Sequence, residues 1–324
     1  MTTTLIAGTR GSDLALWQTH HVANELKRGW VRRSEPAPEV KVQIIRTRGD
    51  VDQSERLVGK LEKGFFTEEL EAAIRESKID FAVHSLKDLP TRMPAGLTLA
   101  AITQRAAIED WLLVRPEFVD ESGGAFALPV KKGTRVGASS LRRDALVKRF
   151  GPGASPVPLR GNVPTRVTRL KEGEKVDAIL LAGAGLSRLA IDLKAFKVFK
   201  LNPRAWPGAP GQGSIAVQCR AEDERTHRAL EIVDHRASRQ NCQWERKFLE
   251  VLEGGCATPF GCHVDGAIAW IGQLPAEGSP WRSRAVQLPQ GLDDKEQEQF
   301  VRQTLGTVFE SGENIHADWL YQPL

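Results

Sequence analysis

The sequence predicts an α/β chain of two similar doubly wound lobes followed by a small α+β domain. Three observations carry this. Short apolar runs alternate with amphipathic helical stretches through the first two thirds of the chain, the pattern of sheets wrapped by helices. The segment Lys175-Val176-Asp177-Ala178-Ile179-Leu180 echoes Lys78-Ile79-Asp80-Phe81-Ala82-Val83 residue class by residue class. Both follow a helix, start a buried strand and end at a polar or Gly-rich turn. From about Arg236 the pattern changes to a long helix and three strand-like runs. The expected boundaries are residues 1–104 with a return segment at 206–230, then 105–205, then 231–324.

Taken in order, Leu5 to Gly8 reads as a strand, and Ser12 caps a helix through Leu26 with Asp13 in its first turn. Val40 to Ile45 alternates as a strand should, and Arg46 to Lys63 is a polar passage long enough to be a lid or binding loop. Thr67 caps a helix whose apolar face is Phe66, Leu70, Ala73 and Ile74. That helix feeds the apolar run from Ile79, which ends in His84-Ser85-Leu86-Lys87-Asp88-Leu89-Pro90. Pro90 stops any continuation, so Ser85, Lys87 and Asp88 stand past the carboxyl end of a buried strand, where open α/β sheets bind ligands. Leu97 to Ile102 is the next strand.

The pattern restarts at Trp111. Thr134 to Gly137 is a strand, Ala138-Ser139-Ser140 a turn, and Leu141 to Phe150 a helix. Val157 to Leu159 leads to Arg160-Gly161-Asn162, with Asn162 capping a helix that tolerates Pro164 in its first turn. Trp206 to Gly213 is rich in breakers and opens a strand at Ser214, a return crossing between lobes. The helix from Arg236 to Glu253 stops at Gly254-Gly255. Strands follow at Phe260–Val264, Ala267–Ile271 and Ser283–Leu288, with a last helix near Asp293–Leu305.

Composition narrows the class. With 324 residues, 41% hydrophobic, the chain is globular and too long for one core. No apolar run approaches the ~20 residues of a membrane span. Met1 to Ile6 has no signal-peptide character, so a cytoplasmic location is expected. The net charge of +4 is modest, with no basic run of the kind that tracks nucleic acid. Cys219, Cys242, Cys256 and Cys262 form no C-x-x-C pair and should be reduced thiols, and no metal is expected.

The chemistry lies in arginines at strand ends: Arg10, Arg142, Arg143, Arg160, Arg166 and Arg188 all fall in or just after turns. Guanidinium grips carboxylates bidentately, so several together imply a polycarboxylate ligand. Phosphate is the competitor, but no G-x-x-x-x-G-K-[ST] loop is present and Gly183-Ala184-Gly185 lacks the last glycine of a dinucleotide fingerprint.

Eight motifs together resemble one family. They are Gly8-Thr9-Arg10-Gly11-Ser12 with Leu14-Ala15-Leu16-Trp17-Gln18, Thr47-Arg48-Gly49-Asp50, the run from His84 to Pro90, and Ser139-Ser140-Leu141-Arg142-Arg143. Next come Leu159-Arg160-Gly161-Asn162, Ala184-Gly185-Leu186 with Arg188-Leu189, Pro210-Gly211-Gln212-Gly213 and Glu253-Gly254-Gly255-Cys256. In this order they resemble the porphobilinogen deaminases (hydroxymethylbilane synthases). The resemblance implies two lobes similar to type II periplasmic binding proteins with an active-site cleft between them, and a third domain. It implies a dipyrromethane cofactor held by a thioether to Cys256, on which four porphobilinogen units are joined with loss of ammonia before hydroxymethylbilane leaves.

By the same resemblance Asp88 is the catalytic carboxylate. Ser85, Lys87, Ser140, Arg142, Arg143, Arg160, Arg166, Arg188 and Gln212 match cofactor contacts, and Arg10 and Ser12 match substrate contacts. Lys63 matches a lysine beside a mobile lid. The residue chemistry agrees: each porphobilinogen carries two carboxylates, and loss of ammonia needs a proton donor and then a carboxylate to steady a cationic azafulvene. Leu61-Glu62-Lys63-Gly64-Phe65-Phe66 departs from the family's Gly-Gly-Lys-Gly-Leu-Phe, and Cys262-His263 is unusual. The family suggests a monomer. Two other readings compete, a non-catalytic polycarboxylate-binding protein and a thiol hydrolase using Cys256 with His84 or His263.

Overall fold

The computed structural model describes residues 4–47, 67–253, 259–274, 279–310 and 317–324. They form two compact units, Met1–Ala106 with Gly213–Cys242, and Ala107–Gln212 with Gln243–Leu324. Labels below follow chain order.

The first unit is built on a five-stranded sheet in the order β2-β1-β3-β10-β4. Its strands are β1 (Thr4–Thr9), β2 (Glu39–Ile44), β3 (Phe81–Ser85), β4 (Leu97–Ile102) and β10 (Ile215–Arg220). β1 runs parallel to β2 and β3, whereas β10 runs antiparallel between β3 and β4. β3 is central, so both its faces are covered. Phe81 and Val83 pack with Val22 and Leu26 of helix α1 (Asp13–Arg32), and Ala82 packs with Leu70, Ala73 and Ile74 of helix α2 (Glu68–Arg75). α1 outruns its expected end at Leu26 because tertiary packing takes over. Gly29 lies so close to Ile232 that a Cβ would meet it at 2.7 Å, and the Trp30 indole donates to the Ala229 carbonyl at 3.2 Å. Ser12 caps α1 as expected, accepting from the Ala15 N–H at 3.4 Å. Thr67 stands at the head of α2 but makes no cap bond there; its hydroxyl serves the Glu71 carboxylate. Phe66 lies outside the described residues.

The second unit contains a six-stranded sheet, β14-β9-β5-β8-β6-β7. It comprises β5 (Asp110–Val114), β6 (Arg135–Ala138), β7 (Ser155–Pro158), β8 (Ala178–Ala182), β9 (Lys197–Leu201) and β14 (Tyr321–Pro323). β6 is parallel to β7 and β8, and β5 is antiparallel between β8 and β9. Helices α3 (Leu141–Phe150), α4 (Val163–Glu172) and α5 (Gly183–Arg188) connect them. Ser140 and Asn162 cap α3 and α4, the second as the sequence predicts, accepting from Arg143 N–H at 3.2 Å and Thr165 N–H at 2.9 Å.

The same layout occurs twice. Ala7 and Gly8 pair with Phe81 and Ala82, and Val136 and Gly137 pair with Ala178 and Ile179. β6, β7, β8, β5 and β9 therefore correspond to β1, β2, β3, β10 and β4. In each unit the strand beyond the central one is antiparallel and comes from a distant stretch of chain, which local periodicity does not reveal.

Helix α6 (Glu224–Leu230) belongs to the first unit, whose part of the chain ends at Cys242 within α7 (Arg236–Glu253); the rest of α7 lies in the second. There β11 (Phe260–Asp265), β12 (Ile268–Gln273) and β13 (Arg282–Gln287) form an antiparallel sheet. With α7 and α8 (Asp294–Glu310) it has its own core, including Phe248, Phe260, Val264, Ile271 and Val301. Among the described residues no helix is long and apolar enough to cross a membrane.

Candidate active site

In the first unit the site grows from the end of β3. A short 3-10 turn, Leu86–Asp88, follows it directly. Leu86 and Leu89 are both buried, packed with Ile102, Ala216 and Cys242, and the Leu86 N–H donates to the Ser214 carbonyl at 3.0 Å. Pinned on either side by leucines, the turn leaves Lys87 half-buried and Asp88 exposed. A carboxylate is thus held at a fixed place without being desolvated.

Ser85 faces α1, where its hydroxyl and the Gln18 amide exchange hydrogen bonds at 2.9 and 3.3 Å. Gln18 is buried, a polar residue on a helix face that otherwise meets the core. Its signal in the sequence was a glutamine at the end of Leu14-Ala15-Leu16-Trp17. Arg10 is half-buried in the turn after β1.

His84 faces the other side of β3 and is buried, with no hydrogen-bond partner at Nε2 among the described residues. Burial, with the positive charge of Arg10 adding to it and a Gln218 hydrogen bond opposing, pushes its pKa down to about 4. It is neutral at physiological pH. Gln218 in turn donates to Glu71 at 3.2 Å, whose carboxyl is held above its usual range chiefly by burial.

In the second unit Arg142 and Arg143 turn inward. Both are buried, 5% and 6% exposed, and both bond Asp110, which is fully buried at the start of β5. Arg143 takes Asp110 with Nε at 3.2 Å and Nη2 at 2.6 Å, and Arg142 adds Nη2 at 2.8 Å. The Trp206 indole N–H donates to the same carboxylate at 2.9 Å and the Gln212 amide at 3.0 Å. The arginines also reach the carbonyls of Pro207 and Leu180, and Gln212 that of Ile108. Burial alone would raise the Asp110 pKa, but the two guanidiniums outweigh it and hold the carboxyl well below its ordinary value.

Arg166 donates to the Ser139 hydroxyl at 2.7 Å and to the Gly161 carbonyl at 2.7 Å. Arg160 is half-buried beside Gly161, whose φ of 110° is glycine territory. Arg188 ends α5 half-buried, and burial pushes its pKa down to about 10. Gly183 opens that helix against Trp111, where a Cβ would meet the indole nitrogen at 2.3 Å. The expected Gly-rich turn is therefore a helix, because Gly183 lets it pack onto the ring.

Cys219, Cys242 and Cys262 are buried free thiols, and burial pushes Cys219 up to about 12. His263 is buried and stacked on Trp270, its Nδ1 3.9 Å from Glu245. Glu245 accepts from the Gly211 and Val264 N–H groups at 2.7 and 2.8 Å, tying the Pro-Gly-Gln-Gly turn to α7. Cys256, Lys63 and the Leu61-Glu62 departure lie outside the described residues. The sequence reading missed Asp110, Trp206 and Glu245; an acid opening an apolar run gives no local sign of its partners.

These features define an α/β protein with an exposed carboxylate on a rigid turn in one unit and a concentration of carboxylate-binding arginines in the other. A family model described as "Porphobilinogen deaminase, dipyromethane cofactor binding domain" matches residues 5–228. A porphobilinogen deaminase of Synechococcus elongatus is 41% identical over 271 residues, covering 82% of this chain and 81% of that protein. One of Roseiflexus sp. is 41% identical over 268 residues, covering 82% and 84%. A solved amino acid ABC transporter substrate-binding protein from Streptococcus pneumoniae aligns over 74% of this chain and 91% of its own at 12% identity. Its TM-score of 0.38 is too slight a likeness to bear on fold or function. The chain belongs to the porphobilinogen deaminase family.

Proposed function

We propose that this chain joins four porphobilinogen molecules head to tail on a dipyrromethane primer attached to Cys256, releasing ammonia at each addition and finally hydroxymethylbilane, in haem biosynthesis. The observation that carries the residue assignment is the exposed Asp88 on a turn pinned by buried Leu86 and Leu89. When bound, the dipyrromethane supplies the pyrrole carbon that accepts the first unit. The donor set suits it: Arg142, Arg143, Arg160, Arg166 and Arg188, with Lys87, Ser85 and Ser140, would hold its carboxylates, while Gln212, whose two amide N–H groups go to Ile108 and Asp110, braces the carboxylate that holds the arginine pair. Arg10 and Ser12 bind those of the incoming substrate.

Asp88 acts on the substrate. It passes a proton to the departing amine as the carbon–nitrogen bond breaks, so ammonia leaves. Its carboxylate then stabilises the azafulvene cation, and it takes the proton that the accepting carbon loses as the carbon–carbon bond forms. Atoms balance, and Asp88 ends as it began. General acid–base catalysis of this kind is worth about 10²–10⁴-fold.

We further propose that residues 231–324 act as a third domain carrying Cys256, supported by the separate β11–β13 sheet and its core. The enzyme works as a monomer in the cytoplasm. Intact mass spectrometry tests the reading: the purified chain should exceed its sequence mass by two pyrrole units, on a peptide containing Cys256. Cys256→Ser should fold without that excess, since a hydroxyl is a far poorer nucleophile at neutral pH. A chain of bare sequence mass, or an adduct on Cys262, would refute it.

A further inference from the structure

Asp110 belongs to none of the motifs that carry the family resemblance, yet it is the most heavily bonded side chain at the second unit's candidate site. It gathers both arginines, Trp206 and Gln212 within 3.2 Å. The repeat shows whether the fold requires it. Asp110 pairs with Ala182 in β8, and the residue that pairs with the matching Ser85 in β3 is Ile215. A carboxylate that the topology demanded would recur in both units, as Asp80 and Asp177 do. Asp80 accepts from the Ile6 N–H at 2.7 Å, and Asp177 from the Arg135 N–H at 2.9 Å. Asp110 instead occurs only in the unit with the arginine pair.

We propose that Asp110 is a positioning residue: it anchors Arg142 and Arg143 by their inner edges, so that their remaining N–H groups are aimed at carboxylates of the bound dipyrromethane. This rests on the function proposed above. A guanidinium has five N–H groups. Arg143 commits three, Nε and Nη2 to Asp110 and Nη1 to the Leu180 carbonyl, and Arg142 commits two, to Asp110 and Pro207. Two guanidiniums share one carboxylate, so the cluster keeps positive character towards an anion. Asp144 also faces Arg143 from the same helix, but it is half-buried and makes no hydrogen bond to it among those described. Held at both edges, the side chains lose little further rotamer freedom on binding, which is how preorganisation raises affinity.

The test compares Asp110→Asn with Asp177→Asn. Both remove a nearly buried carboxylate that grips an arginine through Nε and Nη2, in the same unit. Both should lower Tm. Only Asp110→Asn should lower the fraction of folded chains carrying the dipyrromethane, read by intact mass at limiting porphobilinogen. The expected fall is about tenfold, the effect of one misplaced charged hydrogen bond. Asp110→Glu keeps the charge balance and moves the carboxylate by one methylene; it covers the case in which the asparagine variant does not fold. Its occupancy should also fall, by about threefold or more on the same scale. Full occupancy in either folded Asp110 variant, or an equal fall in Asp177→Asn, would overturn the proposal. Parent protein without any adduct would instead refute the function on which it rests.

Discussion

In the first unit Asp80 stands before the central strand, accepts from the backbone of β1, and has Arg220 and Arg225 beside it. In the second, Asp177 stands before its central strand, accepts from the backbone of β6, and is gripped by Arg135. Gly8 and Gly137 match as well: a Cβ on either would strike the residue that precedes that aspartate, Ile79 or Val176. Past the ends of the same strands the likeness stops. Ser85, Lys87 and Asp88 in the first unit correspond in position to Ala182, Ala184 and Gly185 in the second, and Ile215 corresponds to Asp110. What recurs holds the sheets together, and what differs is the basis of the division of labour proposed above. The first unit has the exposed carboxylate, and the second has the buried arginine pair.

The comparison breaks most visibly if arginines in the two units prove interchangeable. Arg143→Leu should yield protein with little or no dipyrromethane, and should also destabilise the fold. Removing one partner of a buried ion pair costs about 3–5 kcal/mol, and of its two guanidiniums Asp110 would keep that of Arg142, beside the neutral donors Trp206 and Gln212. Arg10→Leu should keep the cofactor and fail in elongation. Intact mass, with porphobilinogen consumption, reads both. A fully loaded Arg143→Leu would erase the distinction.

A smaller effect sharpens the contrast at His84, whose counterpart is Leu181. The folded pKa of about 4 lies below the ordinary 6.5, so between those values the unfolded chain binds more protons. The stabilisation is present above pH 6.5 and is lost as pH falls through 4. Between pH 7 and pH 5 that amounts to about 2 kcal/mol. Hydrogen exchange of the β3 amides should show this loss in the parent and a flatter pH dependence in His84→Leu. Equal slopes would mean that burial of His84 does not set it.

Much of this was legible in the sequence, for local reasons. Ser12 and Asn162 cap their helices because capping needs only the next few residues. The echo between Lys78–Val83 and Lys175–Leu180 anticipated the repeated layout. The strand at β10 was legible from the breaker-rich run before Ser214, but β5, and the antiparallel pairing of β5 and β10 beside the central strands, were not, since their neighbours lie far along the chain. β9 and β14 escaped for the same reason: Lys197-Val198-Phe199-Lys200-Leu201 is a weak pattern until it pairs with β5 and Tyr321–Pro323. Six arginines at turns suggested one class of residue. The structure separates them, because a carboxylate 32 positions before Arg142 draws two of them into the interior.

The division of labour stands or falls on Asp88. The direct measurement is rapid-quench release of ammonia from porphobilinogen by Asp88→Asn chains that carry the dipyrromethane, with circular dichroism confirming the fold. One group serves as proton donor, charge stabiliser and proton acceptor, and these contributions overlap rather than multiply. The account predicts release slower by at least about 10²-fold with the fold unchanged, since Asp88 is exposed and supports no core. Release within about tenfold of the parent, roughly 1.4 kcal/mol of barrier, would contradict it and put the catalytic carboxylate elsewhere.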